Sequence, residues 1–192
     1  MAEIVLVRHG QTRWSANGRH TSYTDLELTP DGQAQARAAG ERLAGRTFAA
    51  VLCSPRTRAL RTAELAGLKV TAVTEDLAEW NYGEYEGITT ADIRAGRPGW
   101  SLWRDGCPGG ESPEQVAARV DRVLAHARSL LDGGDVAFVG HGHCLRVCGA
   151  RWVGLAPSAG GVLRLDTGTV SALGFEHSVD QVISVWNAPA GA

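Results

Sequence analysis

The chain has 192 residues, of which 44% are hydrophobic and 21% are charged, and its net charge is -2 at pH 7. These proportions are typical of a soluble globular protein, and the length predicts a single domain over residues 1–192. The slight negative charge argues against nucleic acid or an anionic membrane as a partner. No apolar run approaches the roughly 20 residues that cross a bilayer, and no basic leader precedes the first strand, so we expect a cytoplasmic protein.

The first half of the chain alternates short apolar runs with capped amphipathic stretches, which predicts buried strands separated by helices. The predicted elements are a strand over 4–7, a loop over 11–28, a helix from Thr29-Pro30 to about 43, a strand over 49–53, a helix from 56 to about 66 capped by Ser54-Pro55, and a strand over 69–73.

The second half begins with an irregular segment and then returns to the same alternation. Its predicted elements are a short helix near 90–95, a long helix from 113 to about 131, a strand over 136–139, a helix to about 153, and two or three strands over 162–187. This β-α-β-α order predicts an α/β protein with three layers, α/β/α, around a mostly parallel sheet.

Reactive side chains follow three of the buried strands. The first strand ends in Arg8 and His9, the second leads into a helix that carries Arg58, and the strand over 136–139 leads to His141. Ligands of open α/β sheets bind beyond the carboxyl ends of the strands, where these side chains converge. Arginine forks and a helix N-terminus suit a phosphate group. One histidine can then be the nucleophile while the other stabilises charge.

A metal site is not expected. His141 and His143 have the spacing of a ligand pair, but Gly142 between them indicates a turn, and no further ligand lies at a convincing spacing. Cys144 and Cys148 alone would make a poor zinc site and are expected to be buried thiols. We therefore expect no metal and no other cofactor.

Four segments in chain order resemble the motifs of the histidine phosphatase superfamily, also called phosphoglycerate mutase-like. The resemblance covers nearly the whole chain and implies the phosphoglycerate mutase-like fold. The segments are Arg8-His9-Gly10-Gln11-Thr12, Ser54-Pro55-Arg56-Thr57-Arg58-Ala59, Glu79-Trp80-Asn81-Tyr82-Gly83 and Gly140-His141-Gly142.

The resemblance implies a role for each of five catalytic residues. His9 attacks phosphorus and becomes phosphorylated. Arg8, Arg58 and His141 bind the phosphoryl oxygens and stabilise the charge in flight. Glu79 protonates the leaving oxygen and then deprotonates the attacking water. Since the first step needs a protonated carboxyl group, we expect an acidic pH optimum.

The resemblance also implies a substrate-binding set. Two members depart from the family pattern, because Ser15 and His143 stand where asparagine is usual. Arg104 and Arg146 are expected to bind a second phosphate or sugar hydroxyls, with surface ion pairing as the alternative. The full set is Gln11, Ser15, His20, Thr21, Tyr82, Arg104, Gly142, His143 and Arg146.

Within the family, the chain resembles a subgroup that contains actinobacterial acid phosphatases and the yeast sedoheptulose bisphosphatase. The segment between Glu79 and His141 is shorter than in phosphoglycerate mutases, which favours transfer to water. We expect a metal-independent phosphatase for small phosphorylated metabolites, with sugar phosphates favoured. A cofactor-dependent phosphoglycerate mutase and a non-catalytic phospho-ligand binding module are the alternatives. The β-rich tail makes a homodimer possible.

Overall fold

The computed structural model describes residues 1–189, and its elements follow the predicted α/β order. Short 3-10 turns lie at Glu75–Leu77, Gly83–Tyr85, Leu131–Gly133 and Pro157–Val162. The helices and strands are β1 (Ile4–Arg8), α1 (Arg13–Ala16), α2 (Pro30–Arg42), β2 (Phe48–Cys53), α3 (Thr57–Leu65), β3 (Ala72–Val73), α4 (Thr90–Gly96), α5 (Leu102–Asp105), α6 (Pro113–Leu130), β4 (Asp135–Gly140), α7 (Gly142–Trp152), β5 (Val170–Glu176) and β6 (Asp180–Ala188).

The described strands form one sheet in the order β3-β2-β4-β1-β5-β6. Strands β3, β2, β4 and β1 are parallel, while β5 runs antiparallel to β1 and β6 antiparallel to β5. Ile4 lies opposite Val136 and Arg8 opposite Gly140, so the carboxyl ends of β1 and β4 lie side by side. The predicted mostly parallel sheet is confirmed.

Strand β1 separates two hydrophobic cores, one on each face of the sheet. Ile4 and Leu6 belong to the core that contains the buried side chains of α6 and α7. Val5 and Val7 belong to the core that contains Ala39 of α2 and side chains of α3. Alternate residues of a strand point to opposite faces, and both faces here are covered by helices. The three-layer prediction is therefore confirmed.

The two longest helices, α2 and α6, both begin at a residue whose side chain caps the helix. Thr29 Oγ1 accepts a hydrogen bond of 3.0 Å from the Gly32 N–H at the start of α2. Ser112 and Gln115 form a reciprocal capping box at the start of α6. None of the helices in the described part of the chain is long and apolar enough to span a bilayer.

Three local predictions were wrong. The predicted loop over 11–28 contains α1, because Thr12 caps this short helix. The strand predicted over 69–73 shrinks to β3, and just before it the Val51 N–H donates to the Thr71 hydroxyl at 3.0 Å instead of to a backbone carbonyl. Ser54 does not cap α3, since Arg56 occupies the N-cap position and Ser54 turns towards β4.

Candidate active site

A cavity opens at the carboxyl edge of the sheet, where the sequence predicts a phosphate site. Residues from the end of β1, the α1 region, the segment before α4 and the first turns of α7 line it. Its lining residues are Arg8, His9, Thr12, Ser15, Gly18, Arg19, His20, Thr21, Glu79, Tyr82, Thr90, Gly142, His143, Arg146 and Leu165.

The hydrogen bonding of His9 leaves one ring nitrogen unprotonated. Its Nδ1–H donates to the Gly10 carbonyl at 2.7 Å, and a carbonyl can only accept, so Nε2 keeps a lone pair in the neutral ring. Burial, and then the positive charges of Arg58 and Arg8, lower the pKa of His9 well below 6.5. His9 is thus a neutral imidazole in the cavity wall, the state that a nucleophile requires.

His141 lies behind His9, with its ring centroid 5.1 Å from that of His9. Arg58 Nε donates to His141 Nδ1 at 3.2 Å, which assigns the remaining ring proton to Nε2. The Nε2–H then donates to Ser54 Oγ at 2.7 Å. Burial, followed by the charge of Arg58, lowers the pKa of His141 well below 6.5. Both nitrogens of this histidine are therefore engaged by the protein.

Arg58 is fully buried, and most of its N–H groups donate hydrogen bonds to other residues of the protein. Its Nη1 donates to the Thr24 carbonyl at 3.1 Å, and its Nη2 donates to the Thr21 and Ser22 carbonyls, also at 3.1 Å. Neither Arg58 nor His141 lines the cavity. To contact a phosphoryl group directly, Arg58 and His141 would have to exchange their present hydrogen-bond partners for its oxygens. Their role in binding the phosphoryl oxygens therefore stays a prediction.

Arg8 keeps a donor that the protein does not use. Its Nη1 donates to the Leu165 carbonyl, whereas Nε is buried and has no partner among residues 1–189. The guanidinium lies close to Gly142, where an added Cβ would be 3.1 Å from Arg8 Cζ. A buried unsatisfied donor beside a cavity favours an anionic ligand, because the ligand would complete its hydrogen bonding.

Glu79 is held by backbone N–H groups at the start of α7. Its Oε2 accepts from His143 N–H at 3.0 Å, and its Oε1 accepts from Cys144 N–H at 2.9 Å and Trp80 N–H at 2.8 Å. The His143 and Cys144 donors belong to the first turn of α7, where backbone N–H groups lack partners within the helix. The carboxyl group thus has a fixed position at the cavity, although its acid role stays a prediction.

The sequence profile of branch 1 of the histidine phosphatase superfamily matches residues 4–189. The chain belongs to this superfamily.

Curated relatives of this histidine phosphatase carry both phosphatase and mutase names. It is 47% identical to an acid phosphatase of Mycobacterium tuberculosis (strain ATCC 25618 / H37Rv), over 93% of this chain and 89% of the relative. It is 37% identical to sedoheptulose 1,7-bisphosphatase of Saccharomyces cerevisiae, over 79% of this chain and 67% of the relative. It is 34% identical to a 2,3-bisphosphoglycerate-dependent phosphoglycerate mutase of Gloeobacter violaceus, over 96% of this chain and 90% of the relative.

A polar aromatic cluster forms another wall of the histidine phosphatase cavity. Tyr82 Oη lies 2.6 Å from His143 Nδ1. Burial, then the charge of Glu79, raises the pKa of Tyr82 well above 10, so its hydroxyl stays protonated. His20 donates its Nδ1–H to the Ile88 carbonyl at 2.7 Å, and its ring centroid lies 4.7 Å from that of Tyr82. Burial lowers the pKa of both His20 and His143.

The two arginines predicted to bind substrate have different surroundings. Arg146 lines the cavity, donates to the Gly160 carbonyl at 2.8 Å, and stacks 4.4 Å above the Trp103 ring. Arg104 is exposed, pairs with Asp105 at 2.8 Å, and is not part of the cavity wall. The structure therefore brings Arg146 to the site but not Arg104, whose partner follows it in the sequence.

Gln11 also lies outside the lining, because its side-chain oxygen accepts from Thr29 Oγ1 at 3.0 Å and so faces the start of α2. The other predicted substrate residues, Ser15, His20, Thr21, Tyr82, Gly142, His143 and Arg146, all line the cavity.

Sequence reasoning missed five lining residues. Arg19 had a visible signal, since it directly precedes His20, which the resemblance places in the substrate-binding set. Within residues 1–189, no group of three or more His, Cys, Asp and Glu side chains is arranged to hold a metal ion. The missed lining residues are Thr12, Gly18, Arg19, Thr90 and Leu165.

Proposed function

We propose that this histidine phosphatase hydrolyses small phosphorylated metabolites, with sugar phosphates favoured, through a phosphohistidine on His9. The observation that carries the proposal is the state of His9, which is neutral and has its Nδ1–H bound to Gly10, so that Nε2 is the nucleophilic nitrogen. The names of the acid phosphatase and sedoheptulose bisphosphatase relatives support hydrolysis and a sugar phosphate substrate.

The first half-reaction transfers the phosphoryl group to the enzyme. His9 Nε2 attacks phosphorus, a P–N bond forms, and the bond from phosphorus to the substrate oxygen breaks. Glu79 gives its proton to that oxygen, so the alcohol leaves neutral. The unpaired Nε of Arg8 donates to a phosphoryl oxygen, while Arg58 and His141 stabilise the charge from behind His9.

The second half-reaction returns His9 to its starting state. The Glu79 carboxylate accepts a proton from water, the water oxygen attacks phosphorus, and the P–N bond breaks. Phosphate leaves, the imidazole is neutral again, and Glu79 carries the proton for the next cycle. No metal takes part in these steps, so activity should persist in the presence of a chelator such as EDTA.

The rim of the cavity supports a polyhydroxylated substrate. Four hydroxyl-bearing residues, Thr12, Ser15, Thr21 and Thr90, are among its lining residues, together with Arg19 and Arg146. Hydroxyl groups can donate hydrogen bonds to sugar hydroxyls and accept hydrogen bonds from them, and the arginines can bind a second anionic group.

A panel of sugar phosphates, sugar bisphosphates and phosphoglycerates, read out by phosphate release, tests the proposal. We expect phosphate from several sugar phosphates and no interconversion of phosphoglycerates. Rapid denaturation during turnover of a labelled substrate should trap a phosphoenzyme that is stable in alkali and labile in acid. Interconversion without phosphate release would establish a mutase instead, and binding without any turnover would establish a phospho-ligand binding module.

Three further expectations from the sequence stay proposals. A homodimer is supported by the open outer edge of β6, which carries the partly exposed Val185, and light scattering measures its mass. A cytoplasmic location is tested by cell fractionation. A single domain over residues 1–192 predicts one cooperative unfolding transition.

A further inference from the structure

We propose that the largely buried ion pair between Glu111 and Arg119 is a positioning pair that fixes Glu79 for proton transfer. The proposal rests on the proposed acid role of Glu79. Glu111 precedes α6 and Arg119 lies within it. Neither residue belongs to the four segments that carry the family resemblance.

The segment that carries Glu79 has no regular structure of its own. It runs between two 3-10 turns, Glu75–Leu77 and Gly83–Tyr85, and belongs to no helix or strand. Its geometry must therefore come from contacts with other parts of the chain.

Arg119 holds the backbone just before Glu79. Its Nη1 donates to the Ala78 carbonyl at 2.7 Å and to the Asp76 carbonyl at 3.0 Å. Both acceptors are buried or partly buried, so these charge-assisted hydrogen bonds are shielded from competing water.

Glu111 holds the backbone just after Glu79. Its Oε2 accepts from the Asn81 N–H at 2.8 Å, and its own N–H donates to the Asn81 carbonyl at 2.9 Å. The Glu111 carbonyl also accepts from Trp80 Nε1 at 2.9 Å. Both neighbours of Glu79 in the sequence are therefore held by the pair: Ala78 is bound by Arg119, and Trp80 is bound by Glu111.

Two parallel hydrogen bonds close this ring of contacts. Arg119 Nε donates to Glu111 Oε1 at 2.8 Å and Nη2 donates to Oε2 at 3.1 Å, with side chains only 10% and 20% exposed. Arg119 Nη1 also donates to Cys144 Sγ at 3.4 Å, in the turn whose N–H groups bind the Glu79 carboxyl group. The pair thus joins the backbone of Glu79 to the helix end that orients its side chain.

Position matters for an acid catalyst, since a displacement of about 1 Å can cost roughly 10²-fold in rate. The substitution Arg119→Gln removes the fork and tests this role. For an alkyl phosphate, whose leaving oxygen needs a proton, we expect kcat/KM to fall about 10- to 100-fold. For 2,4-dinitrophenyl phosphate, whose phenol leaves without a proton, we expect a fall below about 3-fold. An equal fall for both substrates would show a general structural role and overturn the proposal.

Two further variants guard against an uninformative loss of folding. The double variant Arg119→Gln/Glu111→Gln leaves no buried charge without a partner and should show the same difference between the two substrates. Arg119→Lys keeps the charge but not the fork and should recover part of the alkyl phosphate activity. Absence of the substrate difference in the double variant overturns the proposal.

Matched variants separate this proposal from the acid role itself. Arg151→Gln removes another two-point ion pair, which joins α7 to Asp121 of α6, and should leave kcat/KM unchanged for both substrates. Glu79→Gln should give the same difference between substrates as Arg119→Gln, and a larger one. If Glu79→Gln gives no difference, the acid role fails. If Glu79→Gln gives it and Arg119→Gln does not, only the positioning role fails.

Discussion

His9 and His141 occupy equivalent places in the sheet and yet have different hydrogen bonding. They follow the adjacent parallel strands β1 and β4, both are buried, and in both burial and Arg58 lower the pKa. In His9 only Nδ1 is hydrogen-bonded within residues 1–189, to a backbone carbonyl. In His141 both nitrogens are hydrogen-bonded, one to Arg58 and the other to Ser54. We propose that the number of engaged nitrogens, rather than residue type or strand position, distinguishes the proposed nucleophile His9 from the proposed supporting group His141.

The largest effect should separate the two histidines directly. His9→Ala removes the only attacking atom, so we expect phosphatase activity to fall at least about 10⁴-fold and no trapped phosphoenzyme. His141→Ala removes charge stabilisation, so we expect a fall of about 10²- to 10³-fold with the phosphoenzyme still formed. Steady-state phosphate release and rapid-quench labelling measure both, with exposed His126→Ala as the control. A labelled His9→Ala enzyme would reverse the assignment.

A smaller loss of activity should follow from filling the space between α7 and the Arg8 guanidinium. In Gly142→Ala, the new Cβ would lie 3.1 Å from Arg8 Cζ, so the guanidinium that we propose as a phosphate donor must shift. We expect a rise in KM of about 10-fold, since a charge-assisted hydrogen bond contributes about 1.5 kcal/mol or more. Gly96→Ala in α4, where the space is open, is the matched control. An unchanged KM would exclude Arg8 from phosphate binding.

Removing one partner of His141 should test whether its tautomer is set by the protein. Ser54→Ala deletes the acceptor of the Nε2–H and leaves a buried donor unsatisfied, which costs about 1–3 kcal/mol of stability. We expect unfolding at lower denaturant and a drop in kcat/KM of only about 10-fold, because His9 is untouched. Exposed Ser129→Ala should change neither quantity. Nitrogen NMR of His141 reports the tautomer, and an unaltered spectrum with full stability would contradict the assignment.

The dependence of stability on pH should involve both histidines. His9, His20, His141 and His143 all have lowered pKa values, so below about pH 6.5 the unfolded chain binds protons that the folded protein does not. Stability should therefore be lost as pH falls from 6.5, by up to about 1.4 kcal/mol per pH unit for each such histidine. Denaturant unfolding at pH 8, 7, 6 and 5 measures this slope, and a flat profile would contradict the burial of neutral imidazoles.

The sequence predicted those parts of the site that depend on local patterns. Buried apolar runs located β1, β2 and β4, and their ends correctly brought Arg8, His9 and His141 together. Ser54 was misassigned, because Ser-Pro is a helix-start signal and its partner His141 is 87 residues away. Contacts over such separations depend on the assembled sheet and leave no mark on the neighbouring sequence.

The same limit applies to the segments around the cavity. Sequence patterns indicated two or three strands in the tail, and the structure has two, β5 and β6, whose antiparallel pairing depends on their neighbours in space. The exposed Arg104 and the cavity-lining Arg146 look alike in the sequence. They differ because Asp105 engages Arg104, whereas Trp103 and the Gly160 carbonyl hold Arg146 at the rim.

Arg19 stands at the mouth of the cavity, and within residues 1–189 its exposed side chain makes no hydrogen bond or ion pair. Arg58, His141 and Glu79 are buried and are the reverse, since each is hydrogen-bonded to several parts of the fold. Substitution at Arg19 therefore carries little cost in stability, whereas substitution of one of these three buried residues disturbs the carboxyl edge of the sheet. Residues at the rim can therefore change during evolution, and with them the metabolite that is bound, while the residues proposed for catalysis are kept.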